Sequence, residues 1–197
     1  LEELSIGNNE LLTKLDVRNC PSLTQAIDVS GCTNIEEVYA TGTSTTAVKV
    51  ANGGNLKVLH LPNTITNLTI LNQPFITDFV CGDYSKISTL RVENTPLNTL
   101  KIVTDADDSL ERVRLIGVDW TVNDTTVLEK LKTLKGLDEK DNNTDKAILT
   151  GKVHIKDEIT SIYMDECIEF FGTNLTITAD AIEWYYKCKF ESYNGTL

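Results

Sequence analysis

Apolar residues recur along the chain about every ten or eleven positions, and each recurrence has the same local form. Leu1-x-x-Leu4-x-Ile6, Leu12-x-x-Leu15-x-Val17 and Ile35-x-x-Val38-x-Ala40 open the series, and Leu56-x-x-Leu59-x-Leu61 and Ile65-x-x-Leu68-x-Ile70 follow. Ile87-x-x-Leu90-x-Val92, Leu97-x-x-Leu100-x-Ile102 and Leu110-x-x-Val113-x-Leu115 continue it. The last two apolar residues of each phrase alternate with polar ones, the period of a strand with one buried face. Asn9, Asn19, Gly31, Asn52, Asn63, Asn72 and Asn94 close phrases, and Asn and Gly tolerate the left-handed backbone of a tight bend. Each phrase is therefore predicted to be one short strand plus one bend. A self-similar series of this kind means stacked coils sharing one long core.

Alternate phrases should occupy opposite sides of a flattened coil. One set of central residues runs Leu4, Ile27, Val48, Leu68, Leu90, Val113, and the other runs Leu15, Val38, Leu59, Phe79, Leu100. Within either set the step is about 20 to 23 residues. Leu23-x-x-x-Ile27 carries one residue too many and predicts a bulge, and Thr45-Thr46-Ala47-Val48 is weak at its first apolar position. After Trp120 the pattern changes. Asp124 to Gly136 predicts an amphipathic helix with an Asp or Thr cap and a closing glycine. The polar segment Asp138 to Asp145 predicts a loop, and Lys152–Ile155 alternates as a strand. Thr160 to Phe171 predicts a second helix and Leu175–Ile177 another strand, with Val153 to Leu175 repeating the earlier step. The sheet on one side is thus expected to continue while helices replace strands on the other. Three parts follow: a β-rich solenoid over 1–119, helix-containing terminal repeats over 120–181, and an edge strand or the start of a further module over 182–197.

With 197 residues, 41% of them hydrophobic, the chain can bury a substantial core. Its net charge of −11 disfavours non-specific nucleic-acid or anionic-membrane binding, which needs clustered Lys and Arg. There is no uncharged apolar run long enough to span a bilayer. A start inside a repeat and an end soon after an apolar stretch suggest a segment of a longer protein. Cys20, Cys32, Cys81, Cys167 and Cys188 are an odd number at wide spacings and form no C-x-x-C pair. Small buried apolar side chains are the expectation for the first three, with disulfides the lesser alternative.

The Leu12-to-Cys20 phrase, Leu-x-x-Leu-Asp-Val-x-x-Cys, and Asp28-Val-Ser-Gly-Cys32 resemble the cysteine-containing, internalin-like leucine-rich repeats of bacterial surface proteins. The resemblance covers roughly Leu1 to Gly117 and implies a leucine-rich-repeat solenoid, although the regular cysteine ladder is lost after Cys32. The helical end, from Val118-Asp119-Trp120 through Leu149-Thr150-Gly151-Lys152-Val153 to Asn174-Leu175-Thr176-Ile177, is similar to leucine-rich segments of bacteriophage tail or baseplate proteins. Both resemblances imply binders and structural parts, in a virion or on a cell surface. Neither carries catalytic residues.

No catalytic constellation stands out. His60 and His154 are the only histidines, each in an outward strand slot with no metal-ligand spacing beside it. Asp141, Asn143 and Asp145 mimic the first ligands of a calcium loop, but Lys146 and Lys152 stand where Gly and Glu belong, so no metal site is expected. Asn52-Gly53-Gly54-Asn55 lacks the Lys and helix of a phosphate loop. No cofactor is expected. The outward row Ser5, Asp28, Lys49, Thr69, Arg91, Arg114, His154, Thr176 turns basic toward its C-terminal end. Such rows on repeat proteins bind extended partners. Lys49, Arg91, Arg114 and His154 are therefore the candidate binding residues, set against a solvated face balanced by acids such as Glu93. The opposite side offers Tyr39, His60 and Lys101, a less coherent row. The expected function is a non-enzymatic structural or recognition module of a phage tail or baseplate, contacting a host surface or other virion proteins. The alternative is a bacterial leucine-rich adhesin for protein or glycan, and either could oligomerise through its parent protein.

Overall fold

The computed structural model describes residues 1–97, 109–122, 130, 133–155 and 175–177. Strands alternate between two sides of a flattened coil. One side holds β1 (Lys14–Asp16), β3 (Glu37–Tyr39), β5 (Val58–Leu61) and β7 (Asp78–Cys81), parallel and adjacent in that order. The other side begins with β2 (Ile27–Asp28) and β4 (Val48–Lys49), a parallel pair. It continues in a five-stranded parallel sheet of β6 (Asn67–Leu71), β8 (Thr89–Glu93), β9 (Arg112–Val122), β12 (Ile148–Ile155) and β13 (Leu175–Ile177). Between β4 and β6 the stack is carried by Thr66 N–H donating to the Thr46 carbonyl at 3.1 Å and Gly53 N–H to that of Leu71 at 3.0 Å. The result is a solenoid-like stack of about four turns, mostly β.

The expected rungs align. Leu15 pairs with Val38, Val38 with Leu59 and Leu59 with Phe79. On the far side Ile27 pairs with Val48, Leu68 with Leu90 and Leu90 with Val113. Val38, Leu59, Ile27, Leu68, Leu90 and Val113 are buried, so each apolar side chain packs between its equivalents one coil away. Burial of this kind contributes about 1.5–3 kcal/mol per large aliphatic side chain. Thr45 fills the weak first slot of its phrase while fully buried, its hydroxyl donating to the Ala47 carbonyl at 2.9 Å. The extra residue between Leu23 and Ile27 lies in an exposed run, 24–26, so both apolar anchors stay buried. Leu4 is half-buried and forms no strand.

Corners hold themselves together with amides. Asn72 donates its Nδ2 to Asn52 Oδ1 at 2.7 Å, and Asn94 donates to Asn72 Oδ1 at 2.7 Å, a ladder running coil to coil. Asn19, Asn72 and Asn94 have positive φ, as their predicted bend positions require. Where a corner Asn meets glycine instead, the fit is close: a Cβ on Gly82 would lie 1.8 Å from Asn63 Oδ1 and would displace that amide. A second corner device is the carboxylate that accepts the amide two residues on, from Asp28 to Ser30 at 3.0 Å and from Asp83 to Ser85 at 3.0 Å.

Toward the C-terminus three details differ from expectation. Gly136 does not close a helix in a left-handed bend. It opens β10 (Gly136–Leu137), which pairs antiparallel with β11 (Asn143–Thr144), and a Cβ there would lie 2.3 Å from the Lys146 carbonyl oxygen. The loop Asp138 to Asp145 is accordingly the turn and second strand of a small hairpin. Val153 pairs with Ile177 and not Leu175, whose partner is Gly151, so this step is two residues longer. The sheet continues through β9, β12 and β13 as expected, and β9 runs across the boundary placed at 119/120. The helix over Asp124 to Gly136 lies for the most part, and that over Thr160 to Phe171 wholly, outside the described residues, as do Leu100, Lys101 and 182–197.

Candidate functional site

The candidate basic row divides. Lys49 stands on β4 directly beside Asp28 of β2, with an exposed ion pair of 3.8 Å. Thr69 and Arg91 are neighbours on β6 and β8, and Arg91 and Arg114 are neighbours on β8 and β9. His154 is not in register with Arg114: it pairs with Thr121 of β9, while Arg114 pairs with Ile148. The structure therefore brings Arg91 and Arg114 together and leaves Lys49 and His154 apart from them.

Arg91 and Arg114 are only 7% and 8% exposed, which decides what they can do. Two guanidinium groups directly opposite on neighbouring strands repel. Glu93 resolves the conflict: its Oε1 accepts from Arg91 Nε at 2.9 Å and from Arg114 Nε at 2.7 Å. Burial alone would raise the Glu93 carboxyl, but hydrogen bonds from Arg114 and Arg91 outweigh it, and the group titrates below its usual range. The β10–β11 hairpin lies over the pair. Arg114 Nη1 donates to the Leu137 carbonyl at 3.1 Å, and Arg91 Nη1 donates to Asp141. Asp141 is thereby committed to an arginine, and no group of His, Cys, Asp or Glu suited to a metal occurs among the described residues.

The first sheet's outer face is more coherent than its sequence suggested. The register sets Asp16, Tyr39, His60 and Val80 in one row and Lys14, Glu37, Val58 and Asp78 in the next. Lys14 Nζ lies 4.8 Å and Arg18 Cζ 4.9 Å from the Tyr39 ring centroid. His60 meets that ring edge-on at 5.0 Å. His60 Nε2 is 2.9 Å from Asp78 Oδ2, without the alignment of a hydrogen bond. Lys14 pairs with Glu37 at 2.7 Å and Arg18 with Asp16 at 2.5 Å. Val80 is exposed on the same face and Phe75 just ahead of β7. Lys14, Arg18 and Asp78 entered no sequence-derived site. The offset that aligns Leu15 with Val38 also places Lys14 beside Glu37 and Asp16 beside Tyr39, and the one that aligns Leu59 with Phe79 places Asp78 beside Val58, so the register applied to polar positions would have found Lys14 and Asp78.

Cys20, Cys32 and Cys81 are free thiols, Cys32 fully buried. Burial pushes the Cys81 thiol up to about 11, which disfavours its thiolate. No helix among the described residues is long and apolar enough to cross a membrane. These features define a parallel β-solenoid with two decorated outer faces. No family model, curated protein or solved structure matches the chain.

Several carboxylates on these faces and corners are held low by hydrogen bonds. Arg18 brings Asp16 to about 2. Lys14 lowers Glu37, Ser30 lowers Asp28, Ser85 lowers Asp83 and Asn142 lowers Asp138. Each folded value lies below its unfolded one, so the unfolded chain binds more protons in acid. Their contribution is complete above the ordinary carboxylate range, near pH 4, and is lost as pH falls through the folded values. A melting-temperature series should fall progressively between about pH 4 and pH 2. A midpoint that holds level through that window would contradict these pairings.

Proposed function

We propose that the chain is a non-enzymatic leucine-rich-repeat module of a phage tail or baseplate protein, serving virion structure or host-surface recognition. The observation that supports this reading is the stack itself. Its parallel coils display side chains in rows at strand spacing, on faces built for extended contact. The contact residues are then the exposed Lys49 together with the half-buried Tyr39–His60 pair, while Arg91 and Arg114 act beneath the β10–β11 hairpin. His154 remains a candidate through its place on β12.

A cell-surface adhesin is the second reading, favoured by the exposed Val80 beside the Tyr39–His60 pair, an amphipathic patch that suits a protein or glycan ligand. Two measurements on the full chain separate the readings: sedimentation velocity, and binding to purified virion proteins and to an array of bacterial surface glycans. Trimeric assembly with binding to virion proteins supports the virion reading. A stable monomer that binds glycans, and loses binding in Tyr39→Ala with an unchanged melting temperature, supports the adhesin. A chain that binds neither class overturns both.

A further inference from the structure

Around Arg91 and Arg114 the donors are buried, and one of their acceptors, Asp141, is not. The two guanidinium groups are almost fully covered and share a single carboxylate, Glu93, which leaves one positive charge uncompensated by that trio. The balancing charge arrives from outside. Asp141 sits at the tip of the β10–β11 turn, its side chain 70% exposed, and accepts from Arg91 Nη1. Its backbone is left-handed, with φ of 63°, a conformation that a non-glycine residue adopts at some cost. The rest of the turn is fastened independently, by Asp138 Oδ1 accepting the Lys140 and Asn142 amides at 2.8 Å each. Asp141 is thus not needed to hold the turn closed on itself. What it does is place a solvent-borne carboxylate on a buried guanidinium.

We propose that Arg91 and Arg114 form a carboxylate-recognition site that the chain's own Asp141 occupies as an internal pseudo-ligand. The partner group is a carboxylate of an acidic peptide, which replaces Asp141 when the hairpin tip swings away. Arginine suits this task because its donors form a fixed fork that matches a carboxylate. An internal carboxylate on a short tether competes at an effective concentration on the order of millimolar, so a lone small anion loses to it. A peptide with further contacts on the face can win. The inference rests on the reading of this face as a contact surface, but it can be tested with no partner present.

The test uses sodium acetate as probe against sodium chloride at equal ionic strength, following the Arg91 and Arg114 Nε–Hε resonances by NMR. Asp141→Gly removes the carboxylate and suits the left-handed backbone. In this variant acetate should bind saturably, and roughly tenfold more tightly than in the unaltered chain, where Asp141 competes. Asp141→Gly combined with Arg91→Gln should lose that binding. An acetate response equal to chloride in Asp141→Gly, equal acetate affinity with and without Asp141, or tighter binding of inorganic phosphate than of acetate would each overturn the assignment. If Asp141→Gly does not fold, Asp141→Asn is measured in its place. Loss of the fold there as well makes the contact purely structural and rejects the proposal. Success with acetate and failure of every peptide or surface partner would keep this site while discarding the broader functional reading.

Discussion

Replacing Glu93 with alanine should destabilise the protein by about 3 kcal/mol, far more than any exposed charge on the same molecule. Glu93 is the only carboxylate shared by Arg91 and Arg114 among the described ion pairs, and its removal leaves two like charges side by side under the hairpin. Breaking a buried pair costs more than the pair contributes, because the surviving charge has lost water and partner together. Glu36→Ala is the matched control. Its partner Lys57 is 2.8 Å away, but both side chains are about half exposed, so the change should cost under about 1 kcal/mol. Urea unfolding of the two variants gives the comparison directly. A triple variant, Arg91→Met, Glu93→Leu and Arg114→Met, should recover most of the loss, since covered apolar groups need no partner. If Glu93→Ala costs no more than Glu36→Ala, the arginine pair is solvated and the hairpin does not cover it.

This cluster also marks where sequence reasoning stops. The outward direction of Arg91 and Arg114 was legible, because strand alternation fixes it once Leu90 and Val113 are taken as inward. Their burial was not. It depends on Asp141, 50 residues from Arg91 in the chain, and on a hairpin whose polar turn reads locally as loop. The rungs behaved differently: each needs only its own phrase and a step that varies by a few residues, so Leu15, Val38, Leu59 and Phe79 could be aligned without coordinates. The Tyr39 face lay between these cases. Its members occupy three successive coils, and only the register, applied to polar positions as well as apolar ones, brings Lys14, Tyr39 and His60 together. The glycine at 136 misled because a closing glycine and a glycine that admits a neighbouring backbone look alike in sequence. The Lys146 carbonyl 2.3 Å from its missing Cβ separates them.

The stack makes a prediction about position that a closed globule would not. Leu90→Ala should cost about 3–4 kcal/mol, toward the upper part of the range for buried leucines. Leu90 is 1% exposed and is packed between Leu68 of the preceding coil, at 2%, and Val113 of the next, at 0%, so truncation opens a void with coils on both sides. Leu15→Ala removes the same atoms from the same slot of the repeat. Leu15, however, is only half-buried and pairs with Val38 alone among the described strands, so its loss should be about 1 kcal/mol. In a linear array stability is set by each unit and its nearest interfaces, so a central rung counts twice and an end rung once. Amide exchange should report the same asymmetry. Leu90→Ala should raise exchange in β6, β8 and β9 together, whereas Leu15→Ala should leave those strands protected. Equal destabilisation by the two substitutions, or an exchange response to Leu90→Ala confined to β8, would mean that the coils do not share their core in the way the aligned leucines require.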